Sequence, residues 1–322
     1  MDTDALIARM VEHIRWNGDS LELLDQRILP RTVAWVSCNN AAEAADAIAS
    51  MVIRGAPAIG ITAAYGLALE ARLGGDLSVA KDVLLASRPT AVNLRWALER
   101  LMALQPSEFA DEAVAIHAED IALNQRMGAH GADLLKPGSK VYSHCNAGAL
   151  ATGGWGTSVG VIRSAHALGR IEKVWVGETR PYLQGARLTA WELKDEDIPC
   201  ALVCDSVAAS LMASGQVDAV LVGCDRVAAN GDAANKIGTL SLAVLARHYG
   251  VKFYVAMPTS TLDQRCASGA DIPIEERDAA EVRGHAGVQW AADVDVYNPG
   301  FDVTPAALIS AWITEDGLWT PP

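Results

Sequence analysis

Two residues with reactive side chains end short apolar segments in the second half of the chain. Cys145 ends the segment KVYSHC, and Asp225 ends the segment AVLVGCD. A thiolate can act as a base, and a carboxyl group can donate or accept a proton. Each residue type also has an ordinary structural role, because cysteine packs well in cores and aspartate often caps helices or pairs with cations. Acid–base chemistry is the functional hypothesis for both.

These two residues belong to a wider pattern of polar residues after apolar segments. Five such segments alternate with helical stretches, which is typical of βαβ units in a parallel sheet. They are KVYSHC, VWVGE, CALVCDS, AVLVGCD and KFYVAMP. Ligands bind such sheets beyond the carboxyl ends of the strands. Polar residues are also expected at strand ends that are simply exposed to solvent, but five polar strand ends together favour a ligand-binding site. The residues concerned are Cys145 and Asn146, residues 178–180, Asp205 and Ser206, Asp225 and Arg226, and Thr259 and Ser260.

A glycine-rich run and a lysine could bind phosphate. The run NAGALATGGWGT follows Cys145 and leads into a predicted helix, so its backbone amides could approach an anion closely. Lys236 falls in the first turn of a helix predicted over residues 235–249, where a cation opposes the helix dipole unless an anion is bound. A plain connecting loop and a solvated lysine are the ordinary explanations.

Two further segments, in the first third of the chain, could bind an anion. The run RGAPAIG predicts a helix start, because proline suits the first helical turn and Gly55 permits an unusual backbone turn. Arg54 adds a charge beside the free amides of that helix start. Arg88 precedes a proline in a similar but weaker pattern. An arginine in solvent beside an ordinary helix is the alternative.

Composition argues against several functional classes. The chain has 322 residues, 51% hydrophobic and 20% charged, which predicts a folded globular protein. Its net charge of −13 argues against a nucleic-acid partner, since phosphate-backbone binding uses clustered Lys and Arg. Six cysteines form no CxxC pair and no Cys/His cluster with zinc spacing, so we expect no metal, and reduced thiols in the cytoplasm. No dinucleotide or Walker-type fingerprint occurs, so no cofactor is expected.

The patterns predict an α/β protein with two domains. Residues 1–125 form an N-terminal mainly helical domain, with a short extended segment near residues 32–36. Residues 126–322 form a Rossmann-like domain with a doubly wound parallel sheet. The first 20 residues carry early acids and no long apolar stretch, so we expect neither a signal peptide nor a membrane span there, and none later.

The motifs together resemble one family, the methylthioribose-1-phosphate isomerases. The similarity extends over most of the chain, and the runs ETRPYLQGARLTAWEL and AANGDAANKIGT are the most specific. Other matching runs are LLDQRILP, MVIRGAPAIGITAAYG, SHCNAGALATGGWGT and NPGFDVTP. The same superfamily includes ribose-1,5-bisphosphate isomerases and regulatory subunits of the eukaryotic exchange factor for translation initiation.

The resemblance implies a homodimer that converts 5-methylthioribose 1-phosphate to 5-methylthioribulose 1-phosphate in methionine salvage. By motif match, Cys145 is the catalytic cysteine and Asp225 the proton donor. The residues that match substrate-binding positions are Arg54, Gly55, Ala56, Arg88, Gln184, Asn235 and Lys236.

Such a substrate needs help to open its ring, because the anomeric oxygen is esterified. Asp225 could protonate the ring oxygen. Hydrogen must then move from C2 to C1, either as a proton with Cys145 as base or as a hydride, and the residues leave both routes open. On a strand His144 points away from Cys145, so we predict a structural role for His144.

Two rival functions follow from the same motifs. One is isomerisation of a related sugar 1-phosphate, such as ribose 1,5-bisphosphate or 5-deoxyribose 1-phosphate. The other is a non-catalytic regulatory subunit of the translation-factor type. The presence of both Cys145 and Asp225 in complete motifs argues against the second rival.

Overall fold

The computed structural model describes residues 11–89 and 91–321, which form two compact units. Residues 11–125 with 147–156 form the first, here called the helical unit, and residues 126–146 with 157–321 form the second, the sheet unit. The segment after Asn146 thus packs within the helical unit. The division into two domains at residue 125 stays a prediction, and the expectation about a signal peptide falls partly on residues 1–10, outside the described residues.

The helical unit contains a three-stranded antiparallel sheet and helices α1–α5. The strands pair in the order β1–β2–β3, with Leu23 opposite both Ile14 and Val36. Helix α5 continues into the first residues of the sheet unit. The bounds are β1 Ile14–Trp16, β2 Leu21–Leu24, β3 Trp35–Cys38, α1 Ala41–Ala49, α2 Ala56–Leu73, α3 Leu77–Ser87, α4 Val92–Met102 and α5 Phe109–Ala132.

Helix α2 forms much of the core of the helical unit. Every residue over 58–69 is buried, as expected for a helix that is apolar on all sides. Gly55 (φ 97°) precedes its first turn and Gly74 (φ 71°) ends it, both in backbone conformations that favour glycine. The more exposed helices α1 and α3 instead begin at Asn40 and Asp76, whose side chains accept hydrogen bonds from first-turn amides.

The sheet unit is built on a seven-stranded sheet in the order β16–β15–β10–β7–β4–β5–β6. Neighbouring strands are parallel except β15 and β16. The six parallel strands, counted along the chain, have the order 3-2-1-4-5-6 of doubly wound folds, with the switch point between β4 and β7. The bounds are β4 Ser139–Ser143, β5 Ile171–Gly177, β6 Cys200–Val203, β7 Ala219–Val222, β10 Lys252–Ala256, β15 Ala311–Thr314 and β16 Gly317–Trp319.

Five helices and two small sheets complete the main elements of the described part of the sheet unit. One small sheet has the order β11–β8–β9–β14, and the other pairs β12 with β13. The helix bounds are α6 Ser158–Ala167, α7 Ala190–Asp195, α8 Ala208–Ala213 and α9 Thr239–Tyr249, with a short further helix α10 Ala280–Arg283. The remaining strands are β8 Arg226–Ala228, β9 Ala233–Lys236, β11 Leu262–Asp263, β12 Gly284–His285, β13 Val288–Gln289 and β14 Phe301–Thr304.

The predicted α/β class, with helices first and a parallel-dominated sheet after, is confirmed. All five predicted apolar segments form strands of the large sheet, and the extended segment near residues 32–36 is shifted to Trp35–Cys38. The helix predicted from residue 235 begins only at Thr239, because Ala233–Lys236 pairs with β14. In the part of the chain described, no helix combines the length and apolarity needed to cross a membrane.

Candidate active site

Cys145 and Asp225 follow neighbouring parallel strands at the switch point of the large sheet. The register of β4 and β7 pairs Ser143 with Leu221, so Cys145 and Asp225 lie two and four residues beyond a matched pair. In doubly wound sheets this crevice beyond the carboxyl ends is where ligands bind. The fold thus places a thiol and a carboxylate at the same edge, as the sequence pattern predicted.

The backbone of Cys145 is left-handed and held on both sides. Its φ is 64°, uncommon for a residue with a side chain. Its N–H donates to Thr179 Oγ1 at 2.8 Å, and its carbonyl accepts from Thr189 Oγ1 at 2.6 Å. These bonds fix the two peptide groups that flank the Cα atom of Cys145.

His144 is buried and has partners of its own. Its Nε2 lies 2.8 Å from the carbonyl oxygen of Ile237, and its Nδ1 lies 3.8 Å from the Asp205 carboxylate. Burial lowers the pKa of His144, an effect that the Ile237 carbonyl and Asp205 only partly offset. A neutral imidazole with these contacts is consistent with the structural role predicted for it.

Asp225 is exposed and begins the hairpin of β8 and β9. Its N–H donates to the carbonyl of Ala234 at 2.9 Å, which places the hairpin residue Asn235 beside it. Asn235 is buried, and its Nδ2 donates to Thr239 Oγ1 at 3.0 Å. The hairpin thus brings two predicted site residues, an acid and an amide, to the end of β7.

Lys236 ends strand β9 and does not lie in a helix. The dipole argument made for it from the sequence was therefore wrong, because the first turn of α9 starts three residues later. Lys236 Nζ donates to the carbonyl of Gly300 at 2.9 Å and lies 4.2 Å from the ring centroid of Phe301. These contacts fix the ammonium group at the same hairpin as Asp225.

Gln184 lies in the segment that leaves β5, the other neighbour of β4. It is 6% exposed, and among the described residues no hydrogen-bond partner is found for its Oε1. The π-helical turn Gly185–Thr189 follows it directly, a feature that is rare and frequent at functional sites. A buried amide oxygen without a protein partner suits a ligand hydroxyl.

The four remaining predicted site residues lie in the helical unit. Arg54, Gly55 and Ala56 stand at the start of α2, where none of the described side chains caps the first-turn amides. Arg88 directly follows α3 and is half-buried, and Thr90 nearby is outside the described residues. The segment 147–156 packs against this helix start, since a Cβ added at Gly55 would overlap the backbone of Ala151.

The glycine-rich segment 147–156 uses its amides within the protein. Gly153 N–H donates to Asp120 Oδ2 at 2.5 Å, and the amides of Gly154 and Gly156 donate to Thr152 Oγ1 at 3.3 and 2.9 Å. The phosphate cradle suggested by the sequence is therefore wrong for these three amides. Asp120 lies 33 residues upstream in α5, and no local pattern revealed it.

We expect Gly55→Ala to destabilise the protein far more than Gly74→Ala. Both glycines flank α2 with positive φ, but a Cβ at Gly74 meets none of the described atoms within 4 Å. Gly74→Ala should cost about 1 kcal/mol through backbone strain. Gly55→Ala adds the overlap with Ala151 and should cost about 3 kcal/mol. Urea unfolding followed by circular dichroism measures both, and equal losses would contradict the close contact.

Asp120 should make stability depend on pH. Burial raises the pKa of its carboxyl group from 3.8 to about 6, while the Gly153 amide and Asn124 partly oppose this. The folded chain therefore holds this proton more tightly than the unfolded chain, so the stabilisation is complete only below the unfolded pKa of 3.8 and is lost as pH rises from there through 6. The unfolding free energy of the protein relative to Asp120→Asn should fall by roughly 2 kcal/mol between pH 4 and pH 7. Urea titrations at the two pH values measure it; a constant difference would contradict the raised pKa.

The sequence analysis gave no role to Thr189 and Glu192, and it named Thr179 only within residues 178–180, which follow a strand. All three residues lie in the specific run ETRPYLQGARLTAWEL, in which the resemblance assigned a role only to Gln184. The two threonines gave no signal of a functional role, because threonine occurs in many structural settings. Over the described residues, no group of three or more His, Cys, Asp or Glu side chains is arranged to hold a metal.

Comparison with known proteins gives consistent matches over nearly the whole chain. Residues 52–321 match the initiation factor 2 subunit family. A methylthioribose-1-phosphate isomerase of Alcanivorax borkumensis is 56% identical over 320 residues, which cover 95% of this chain and 92% of that protein.

Two solved structures are similar in fold and sequence. The 5-methylthioribose 1-phosphate isomerase of Pyrococcus horikoshii OT3 superposes with a TM-score of 0.94 at 42% identity, over 99% of this chain and 96% of that one. The translation initiation factor eIF-2B, subunit delta, of A. fulgidus gives 0.86 at 41% identity, over 97% and 96%. The chain therefore belongs to the initiation factor 2 subunit family and, within it, to the methylthioribose-1-phosphate isomerases.

Proposed function

We propose that the protein converts 5-methylthioribose 1-phosphate to 5-methylthioribulose 1-phosphate, an aldose–ketose isomerisation in methionine salvage. The observation that carries the proposal is the placement of Cys145 and Asp225 beyond adjacent parallel strands at the switch point. The relative that is 56% identical bears the name of this enzyme. An acid and a base at one sheet edge are the two groups that the reaction needs.

The first step of the proposed reaction opens the ring. The phosphate on the anomeric oxygen prevents spontaneous opening, so the C1–O4 bond breaks only as a proton reaches O4. Asp225 in its acid form donates that proton and becomes a carboxylate. Asn235 and Lys236, on the hairpin that starts at Asp225, are proposed to bind the sugar and its phosphate.

The second step moves hydrogen from C2 to C1. We assign it to proton transfer, because a thiolate is a base and has no role in a direct hydride shift. The Cys145 thiolate takes the C2 proton to give an enol phosphate, and the thiol returns a proton to C1. Asp225 takes the proton of the C2 hydroxyl as the ketone forms, which restores both residues to their starting states.

The remaining predicted residues are proposed to bind substrate. Gln184 presents a buried Oε1 that can accept a sugar hydroxyl. By motif match, Arg54, Gly55, Ala56 and Arg88 are also proposed as substrate-binding residues. Catalysis by these groups uses no cofactor. We further propose that the protein works as a homodimer, as the resemblance implies, and that it works in the cytoplasm, as its cysteine pattern suggests.

Substrate comparison tests the proposed function. Purified protein should turn over 5-methylthioribose 1-phosphate with a higher kcat/KM than ribose 1,5-bisphosphate, because a second phosphate would demand further cations. It should also prefer it to 5-deoxyribose 1-phosphate, because the methylthio group favours an apolar pocket. Preference for the bisphosphate would assign the chain to the related isomerases. Absence of turnover with all three would favour the regulatory function that the name of the A. fulgidus protein suggests.

A further inference from the structure

The run ETRPYLQGARLTAWEL has a role beyond supplying the substrate-binding residue Gln184. It leaves strand β5 and supplies Thr179 and Thr189, both fully buried. Only Gln184 between them has a place in the proposed reaction. The two threonine side chains contact the same residue, Cys145, from opposite sides of its Cα atom.

The bonds made by the two threonines determine the conformation of Cys145. A non-glycine residue at φ 64° is in a sparsely populated region and stays there only when its surroundings hold it. Thr179 Oγ1 accepts the Cys145 N–H at 2.8 Å, and Thr189 Oγ1 donates to the Cys145 carbonyl at 2.6 Å. Both peptide groups are fixed, so φ and ψ are fixed, and with them the direction of the Cα–Cβ bond that carries the thiol.

Each threonine is held in turn, Thr179 by the Asp205 carboxylate and Thr189 by the amide of Asn146. The N–H groups of Thr179 and Arg180 donate to the two carboxylate oxygens of Asp205, each at 2.8 Å. The Thr179 hydroxyl donates to the carbonyl of Gly177 at 3.0 Å. The Thr179 oxygen is thereby oriented to accept the Cys145 N–H. Thr179, like Cys145, has a positive φ of 64°.

The support of Thr189 is a buried polar network. Thr189 Oγ1 lies 3.2 Å from Asn146 Nδ2, which also donates to Glu192 Oε1 at 2.8 Å. Glu192 accepts from Arg163 at 2.7 Å, and both charged side chains are at most 1% exposed. A satisfied buried network of this kind is rigid, because every displaced member would leave an unpaired polar group.

We propose that Thr179 and Thr189 are positioning residues that hold Cys145 in its left-handed conformation and so aim its thiol at the substrate. The effect on turnover rests on the proposed function of Cys145. The effect on the thiol's own reactivity does not, because it follows from the geometry of the free protein.

Replacement of Thr189 by valine, with serine as the conservative variant, tests the proposal. Thr189→Val keeps the shape but removes the donor to the Cys145 carbonyl. We expect kcat to fall by up to about a hundredfold with KM changed by less than about threefold, since a displaced catalytic group affects the chemical step most. Thr189→Ser keeps the hydroxyl and should retain most of kcat. Thr179→Val and Thr179→Ser form a second pair in case the first valine variant folds poorly.

Thr314 provides a matched control in the same sheet. It is 2% exposed and its hydroxyl donates to a backbone carbonyl, Gly317, at 2.8 Å, at the edge formed by β15 and β16. Thr314→Val therefore removes a similar bond at a distance from Cys145 along the sheet order. Its kcat should equal that of the unmodified protein.

Alkylation of Cys145 separates this proposal from the proposed function. Iodoacetamide is applied to the full chain without substrate over a range of pH, and the Cys145 peptide is quantified by mass spectrometry. In Thr189→Val the alkylation rate should change by about threefold or more, or its pH midpoint should shift by about half a unit or more. Both should stay unchanged in Thr314→Val. Unchanged alkylation and unchanged kcat in both Thr179→Val and Thr189→Val would overturn the proposal. If the unmodified protein isomerises nothing, the proposed function fails and alkylation alone still decides on the threonines.

Discussion

Cys145→Ser is expected to lower kcat by about 10²- to 10⁴-fold, because a hydroxyl is a far weaker base than a thiolate at neutral pH. The fold should survive, since the bonds to Thr179 and Thr189 are made by the backbone of Cys145 and not by its Sγ. Circular dichroism and the unfolding midpoint check the fold, and a coupled assay of ketose formation gives kcat.

The control for this variant is Cys204→Ser, which replaces an exposed cysteine at the end of another strand of the sheet. It should keep the full kcat. In D2O the unmodified protein should also introduce deuterium at C1 of the product, because the proton that Cys145 returns has exchanged with solvent. Near-normal turnover in Cys145→Ser would remove the thiol from the mechanism.

Asp225→Asn is expected to lower kcat by about 10²- to 10⁴-fold, because an amide cannot protonate the ring oxygen. The side chain keeps its size, and the Asp225 N–H still donates to Ala234, so the hairpin should keep its conformation. KM should change little, since the loss lies in the transition state for ring opening. Initial rates over a range of substrate concentrations separate the two constants.

Asp316→Asn is the matched control, because Asp316 is an exposed aspartate in the turn between β15 and β16. It should leave kcat and KM unchanged. If Asp225→Asn instead raised KM alone, Asp225 would be a binding residue and another group would have to open the ring.

The large sheet could be predicted from sequence because its central strands are buried. All four residues of Ala219–Val222 are buried, and they read as one continuous apolar run in the sequence. Since strands of a parallel sheet end at one edge, the polar residues that follow each run could be placed together from the sequence pattern alone. Their pairing at the switch point depended on strand order, which periodicity does not give.

Features that depend on distant residues could not be predicted. Residues 233–236 look like the start of a helix locally, but they pair with Phe301–Thr304, more than 60 residues away. Tertiary pairing therefore overrode the local pattern, and Lys236 became a strand residue. The same applies to Asp120, which accepts the Gly153 amide from another part of the chain and removes that amide from any phosphate site.

The roles of individual site residues came from the family resemblance, and the structure adds the reason for their surroundings. Thr179 and Thr189 have no chemical signature in the sequence, yet they contact Cys145 directly. The specific run that contains these threonines can thus be explained by its bonds to the Cys145 backbone as well as by the binding of substrate.

The most direct test of the central claim is a ¹³C NMR time course with 5-methylthioribose 1-phosphate labelled at C2. The account predicts that the purified chain converts the C2 alcohol signal to that of a ketone, while Cys145→Ser and Asp225→Asn leave it nearly unchanged over the same time. A C2 signal that stays an alcohol with the unmodified, folded protein would contradict the account.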